Sequence, residues 1–414
     1  MTEFSRASGD LPTFVTHLEC SLTGERYPAD TLQTLSRAGR PLLVRYDLDG
    51  VRRTLTREVL AARPQTLWRY RELLPVRRAE NVVSLGEVVT PLIPLPRIAD
   101  RLGGGEILVK DEGRLPTGSF KARGLALAVS MAKELGITTM AMPTNGNAGA
   151  AMAAYCSRSG IKSYVFCPDD TPEVNIREIA MQGAEVFLVD GLIDDCGKLV
   201  SEGERSVGWF NCSTLREPYR IEGKKTMGLE LADQLGWELP DVIFYPTGGG
   251  TGFIGMWKAF AELGSLGWIG PKRPRMVAVQ TTGCCPIVRA FEMGHRQVQT
   301  PWVDIRTNVH GVRVAKALGD FLILQVVYES GGFGSAVSDE EVEETRRSVA
   351  EADGTLLSPE GAACVAAYRN ELARGRVSAS ERAVVFNTAT GLRTPMPPVD
   401  KRLDSTKPID FGML

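Results

Sequence analysis

One short stretch constrains this chain more than any other: Pro116-Thr-Gly-Ser-Phe-Lys-Ala-Arg-Gly124. The apolar run Glu106-Ile-Leu-Val-Lys110 before it reads as a strand. Residues 125–135 after it read as a helix that Gly136 ends. Lys121 therefore sits where a glycine-containing loop meets a helix N-terminus, an end with unpaired N–H groups and a partial positive charge. A cation is poorly placed there unless it meets an anion or gives up its proton. Lysines that give it up serve as amine nucleophiles toward carbonyls. On spacing alone, the plain reading of a solvated lysine at a helix start stands ahead of the nucleophilic one.

The rest of the chain supplies an α/β setting. From residue 106 to about 242, apolar strands (138–142, 163–167, 185–189) alternate with helical stretches (148–159, 175–182), which argues for a mostly parallel sheet covered by helices. Residues 241–245 start a second such unit, and 276–280 and 383–386 supply further strands. Ser338 and Ser358-Pro359 read as helix starts, with serine caps followed by acids or by proline at the first position. The prolines of Val88-Val-Thr-Pro-Leu-Ile-Pro-Leu-Pro96 exclude a central strand there, residues 63–73 read as a helix, and Gly103-Gly-Gly105, which precedes a strand, reads as a turn. We expect two α/β domains, residues 105–238 and residues 61–104 with 239–414, after an N-terminal extension over residues 1–60. With 414 residues there is enough chain for two cores.

Composition excludes several classes. A net charge of −2 leaves no electrostatic footprint for nucleic acid or an anionic membrane. No apolar run approaches the ~20 residues of a transmembrane helix, and the first residues lack a basic-then-apolar signal, so the expected setting is cytoplasmic. The eight cysteines are scattered, without a disulfide framework or a CxxC, and read as small buried hydrophobes, the adjacent pair Cys284-Cys285 included.

Pro-Thr-Gly-Ser-Phe-Lys-x-Arg-Gly resembles the pyridoxal-phosphate lysine motif of threonine synthases and their fold-type II relatives. Gly146-Asn-Ala-Gly149, Thr247-Gly-Gly-Gly-Thr-Gly252 and Asn387-Thr-Ala-Thr-Gly-Leu392 follow in the family's order, so the resemblance spans roughly residues 85–395. It implies two doubly wound α/β domains with pyridoxal 5'-phosphate between them, Lys121 as the cofactor lysine and proton-transfer base, and a homodimer. Gly248, Gly249, Gly250, Thr251 and Gly252 lie between a strand and a helix start and would present backbone N–H groups to the cofactor's phosphate; the spacing is not a dinucleotide GxGxxG. By resemblance Asn147 meets the cofactor's ring oxygen, although as a helix-start residue it also reads as an N-cap. Thr144, Asn145 and Gly146 would hold the substrate carboxylate. Thr388 would face the pyridine nitrogen, where a hydroxyl favours elimination and replacement over transamination. Arg220-Ile-Glu-Gly-Lys-Lys-Thr226 resembles a family segment, and Lys110, Arg220 and Lys225 are candidates for a substrate phosphate; as surface charges they would have no such role.

The extension, with Thr16-His-Leu-Glu-Cys-Ser-Leu-Thr23, resembles a ribbon that in relatives holds zinc through paired cysteines. Here Cys20 stands alone and His17 adds at most one ligand to it, so we expect no metal and a ribbon held by packing alone. Ala122, Asn145 and Ala148 replace residues usual in threonine synthases. The leading expectation is conversion of O-phosphohomoserine to threonine and phosphate by elimination and water addition. The alternative is serine/threonine dehydration, or a cysteate synthase-like β-replacement on serine, phosphoserine or threonine.

Overall fold

The structure is a computed structural model that describes residues 9–396, 398–399, 402–404 and 406. Three sheets organise it. The largest has six strands in the order Phe333–Val337, Arg275–Thr281, Val242–Pro246, Ala383–Asn387, Ile107–Asp111 and Leu92–Pro94. The first five are parallel, and Leu92–Pro94 is an antiparallel edge, the place where its prolines cost no ladder bonds. The second sheet is wholly parallel, in the order Glu185–Val189, Lys162–Pro168, Thr139–Pro143 and Phe210–Asn211. The third is the N-terminal antiparallel ribbon of Arg26–Tyr27, Val15–Cys20 and Leu42–Tyr46.

The two-domain α/β expectation agrees with these sheets, with one correction at the boundary. Ile107–Asp111 pairs with Ala383–Asn387 in the larger sheet, not with the strands that follow it in sequence. Alternation of strands and helices identifies a parallel unit but does not say which sheet a strand joins. Residues 63–73 differ as well: only the short 3-10 helix Leu67–Leu73 forms there, interrupted at Tyr70. Gly103 ends the helix Pro96–Leu102 with a left-handed φ of 61°, a conformation that favours glycine.

The ribbon is held by more than packing. Cys20 Sγ donates to Ser36 Oγ (3.1 Å), Arg45 pairs with Glu19 (2.6 Å), and Tyr46 Oη reaches Glu222 Oε2 of a distant helix (2.7 Å). His17 turns to Glu19 at 3.6 Å. Among the described residues the cysteines are free thiols, Cys284 and Cys285 included, and no helix is long and apolar enough to cross a membrane.

Three helices form the centre: Lys121–Glu134, Tyr219–Gln234 and Thr251–Ser265. They approach closely because glycines face one another. A Cβ on Gly223 would lie 2.0 Å from the Arg123 carbonyl oxygen, and one on Gly255 would lie 2.9 Å from the Lys225 nitrogen. A buried ion network locks the first crossing. Arg123 Nε and Nη2 donate to Glu112 (2.6 and 2.9 Å), while Nη1 and Nη2 donate to Glu230 (2.6 and 2.8 Å). Lys110 Nζ completes it through Glu230 (3.0 Å), Gln234 (2.7 Å) and the Thr90 carbonyl (2.8 Å). All four charged side chains are fully buried.

Glu217 caps the second helix. Its carboxylate accepts from the backbone N–H groups of Tyr219 (2.8 Å) and Arg220 (3.0 Å). Burial pushes its pKa up to about 7, against the pull of the Arg220 guanidinium.

Two stability measurements check this account. Removing one partner of a buried pair leaves the other charge unpaired, so Arg123→Met should cost about 3–5 kcal/mol in urea unfolding. A carboxyl whose folded pKa is raised contributes stability that is fully present below its ordinary value near 4.5 and is lost as pH rises through about 7. Relative to Glu217→Gln, the wild type should therefore lose on the order of 3 kcal/mol between pH 4 and pH 8, measured as the difference of their unfolding curves. A difference that stays flat with pH would contradict the burial-raised pKa.

Candidate active site

Lys121 is the first residue of its helix. The turn before it is strained open: Thr117 has a φ of 60° and Gly118 of 58°. That turn is fastened to the end of the strand Ala383–Asn387. Phe120 N–H donates to the Thr388 carbonyl (2.9 Å), and Thr390 N–H donates to the Gly118 carbonyl (2.8 Å). Lys121 and Thr388 are thereby held on one piece of backbone. The lysine Nζ lies 4.0 Å from the Phe120 ring centroid. Burial, together with the nearby Arg220 guanidinium and against the Glu360 carboxylate, lowers its pKa to about 7. An amine in that range is available as a nucleophile and a base near neutrality.

A narrow recess of about 60 Å³ holds Lys121, Asn147, Arg220, Gly248–Gly252, Glu360 and Thr388. The glycine loop closes it. Gly250 has a φ of 78° and starts the helix Thr251–Ser265. A Cβ on Gly248 would lie 2.5 Å from the Gly311 carbonyl, and one on Gly252 would lie 1.9 Å from Tyr245 Oη, so the loop is bare backbone by necessity. Arg220 is buried, donates through Nη1 to the Cys212 carbonyl (2.8 Å), and its Nε has no partner among the described residues. Bare N–H groups at a helix start, facing an under-satisfied buried guanidinium, fit a phosphate. The recess thus has the lysine, the anion cradle and the hydroxyl that pyridoxal phosphate requires of a protein.

The recess opens into a chamber of about 590 Å³ that also touches Lys121, Thr144, Asn145 and Asn147. Thr144 Oγ1 accepts from Gly146 N–H and Gly149 N–H (both 3.0 Å), which shapes the loop. Gly146 has a φ of 120° and stands as the helix N-cap, so Asn147 is the first helical residue and its side chain does not cap. A Cβ on Gly146 would press on Asn175 at 2.8 Å.

The structure puts Lys110 and Lys225 elsewhere. Lys110 belongs to the buried Arg123 network. Lys225 pairs with Glu222 (2.7 Å) and Glu262 (2.9 Å) in a second buried cluster with Lys258. Neither lines the recess or the chamber, and each already has carboxylate partners. Arg220 borders the recess beside the glycine loop rather than the outer chamber. The cations that the motifs did not single out on the chamber wall are Lys198, Arg205, Arg216 and Lys316. Lys198 pairs with Asp195 (2.8 Å), whereas Arg216 and Lys316 have no ion-pair partner among the described residues. Glu360 was legible only as part of a helix start; it accepts from Gly311 N–H (2.9 Å) and so joins the recess wall.

Comparison with known proteins gives the family. A model of the family described as "Pyridoxal-phosphate dependent enzyme" matches residues 83–389. The threonine synthase of Methanocaldococcus jannaschii is 33% identical over 377 residues, 91% of this chain and 92% of that protein. The threonine synthase of Methanosarcina acetivorans is 34% identical over 388 residues, 93% and 94% of the two chains. Among solved structures, threonine deaminase isoform 2 of Solanum lycopersicum shares the fold with a TM-score of 0.62 at 20% identity, covering 73% of this chain and 79% of that one. Serine racemase of Dictyostelium discoideum does so with a TM-score of 0.60 at 22% identity, covering 73% and 92%. The chain belongs to the pyridoxal-phosphate dependent enzyme family.

Proposed function

We propose that this chain is a threonine synthase-like lyase that converts O-phosphohomoserine to threonine and phosphate by elimination and water addition. The observation that carries the reading is the likeness to two threonine synthases along 91% and 93% of the chain. The site supports it in three ways. Lys121, with its pKa near 7, is suited to hold the cofactor and then to carry protons at the substrate's Cα. Gly248–Gly252 and Arg220 would hold the cofactor's phosphate, Asn147 its ring oxygen, and Thr388 its pyridine nitrogen. The start of the helix Asn147–Ser159 leaves the N–H groups of Asn147 and Ala148 without intrahelical acceptors, and with the Thr144-Asn145-Gly146 loop they suit a substrate carboxylate.

When bound, pyridoxal phosphate would supply the electron sink that makes the proton on the amino acid's Cα, and then those on the carbon beside it, removable. The protein's part is to place the base, to hold the carboxylate and to receive the leaving phosphate. For that last task Arg216 and Lys316, on the chamber wall, replace Lys110 and Lys225 as candidates. The alternative, dehydration or β-replacement on serine, phosphoserine or threonine, keeps one point in its favour: Asn145, which replaces a threonine usual in threonine synthases, lines the chamber. A panel that measures phosphate and keto-acid release from phosphohomoserine, phosphoserine, threonine and serine decides between them. Faster turnover of threonine or serine than of phosphohomoserine overturns the leading reading.

Four further outcomes are expected. The rate at which the apoprotein gains visible absorbance on addition of pyridoxal phosphate should rise about tenfold from pH 6 to pH 9 and level off above pH 8, because the neutral fraction of Lys121 saturates there. A lysine at its ordinary 10.5 would still be gaining at pH 9. Lys121→Ala should abolish the borohydride-trapped label. Arg216→Ala should raise KM for phosphohomoserine at least about tenfold, which needs only ~1.4 kcal/mol, and leave cofactor affinity intact. Arg220→Ala should instead weaken cofactor binding. An equal effect of both variants on the cofactor would show that the two cations are not divided in this way.

A further inference from the structure

Arg393 follows the Asn387-Thr-Ala-Thr-Gly-Leu392 stretch, and its place in the structure gives it a task that no motif announces. Its backbone belongs to the larger sheet's side of the cleft. It closes the short turn Gly391–Arg393, which Thr390 caps by accepting Leu392 N–H (3.3 Å), five residues after Thr388. Its side chain crosses to the other side. Nη1 donates to Asn147 Oδ1 (2.9 Å), and Nη2 donates to Glu178 Oε1 (2.7 Å), with about four-fifths of both charged side chains withdrawn from solvent. Asn175 Nδ2 adds a second, longer donor to the same Asn147 oxygen (3.4 Å). The guanidinium lies beside the Lys121 turn: a Cβ on Gly118 would stand 3.4 Å from Arg393 Cζ, in ordinary contact.

The chemistry of the two groups settles the orientation of the amide. A guanidinium has donors only, so whichever Asn147 atom faces it must be the oxygen. With Oδ1 committed to Arg393 and Asn175, the amide's NH₂ is left for the opposite side, and Asn147 lines both the recess and the chamber. An asparagine free to flip would present oxygen or nitrogen to the cavity; one clamped through its oxygen presents only a donor. A donor is what an anionic ring oxygen needs.

We infer that Arg393 is a positioning residue that fixes the Asn147 amide, so that its NH₂ donates to the cofactor's ring oxygen. The inference rests on the cofactor contact proposed above for Asn147. Glu178 holds the guanidinium from its far side, so that it lies in the line between the two acceptors. Because Arg393 is anchored five residues beyond Thr388, it also ties the Thr388 wall to the Asn147 wall.

The test is titration of apoprotein with pyridoxal phosphate, reading dissociation constant and visible absorption maximum. Arg393→Met should weaken binding about tenfold and shift the maximum in the same direction as Asn147→Ala. Added to Asn147→Ala, it should cost nothing further, because the amide it positions is gone. Wild-type affinity and spectrum in Arg393→Met would overturn the inference, as would an undiminished loss in the Asn147→Ala background, the sign of a merely structural role. Wild-type binding by Asn147→Ala would overturn both the inference and the cofactor contact beneath it. If Arg393→Met shows no cooperative thermal unfolding, Arg393→Lys decides: it keeps the charge but lacks the fork that reaches both Asn147 and Glu178, so affinity should fall, and the fall should vanish when Asn147→Ala is added. Wild-type affinity and spectrum in Arg393→Lys, or an undiminished loss in the Asn147→Ala background, would overturn the inference.

Discussion

The buried pairing of Arg123 with Glu112 and Glu230 is what the rest of the site stands on. Two cations and two carboxylates, Lys110 included, are removed from water at one place. Desolvation of that size is offset only when every charge is paired and its remaining hydrogen-bonding capacity is used. Here it is: Thr90, Thr226 and Gln234 take up donors and acceptors that the ions leave over. Since Arg123 lies two residues after Lys121, the network that secures the helix crossing also fixes where the lysine's helix begins.

The helix Tyr219–Gln234 sorts its charges by side. Glu230 serves the Arg123 network. Glu222 and Lys225 join Lys258 and Glu262 in a second neutral cluster, with Tyr46 of the ribbon donating to Glu222. Arg220 and Lys224 are left over, both buried, each with a carbonyl as its hydrogen-bond acceptor: Cys212 for the arginine, Phe120 for the lysine. Burial, with Lys121 and Arg220 nearby, pushes the Lys224 pKa well below its ordinary value, so the Arg220 guanidinium is the uncompensated charge next to Lys121. The consequence is double. An anion would be drawn to the recess, and the Lys121 ammonium is disfavoured, first by burial and then by Arg220. One guanidinium would serve both the proposed phosphate site and the lysine's reactivity.

Much of this was legible from sequence because it depends on local rules. Strand, glycine loop and helix start around Thr247–Gly252 read correctly, since a loop between a strand and a helix must expose N–H groups. The central Lys121 helix was legible from its apolar run and its terminating glycine. What stayed hidden depends on which side of an element a residue faces and on what it meets there. Lys110 and Lys225 look like Arg220 in a sequence, cations inside family-like segments, yet two of the three are consumed by carboxylates: Glu230, remote in the chain, for Lys110, and Glu222 on the same helix together with the remote Glu262 for Lys225. Ile107–Asp111 carries no local sign of its sheet, because its partners lie at 92–94 and 383–387. Glu360, Arg216 and Arg393 reach the cleft only through tertiary packing. The glycines were the intermediate case: Gly124 and Gly223 stand in recognisable segments, but their reason, a helix crossing that no Cβ would fit, is geometric.

The cleft's two walls are built with different rigidity in the direction that matters for chemistry. Lys121 and Thr388 share one wall, since the Lys121 turn is bonded to Thr388 and Thr390 by backbone hydrogen bonds and Ser119 bridges to Ala389. Their separation cannot change without breaking that ladder. Asn147 and the Thr144–Gly146 loop belong to the smaller sheet, which meets that wall through Arg393 to Asn147 and Glu178, through Arg313 to Asp170 at 2.6 Å, and through the helix Asn147–Ser159, which packs directly on the Lys121 helix in one apolar core. Half of the Asp170 side chain is exposed, so water competes for the Arg313 pair and weakens it as a tie. Backbone bonds therefore keep Lys121 and Thr388 in register, whereas Asn147 keeps its place through side-chain bonds and through the packing of its helix on the Lys121 helix.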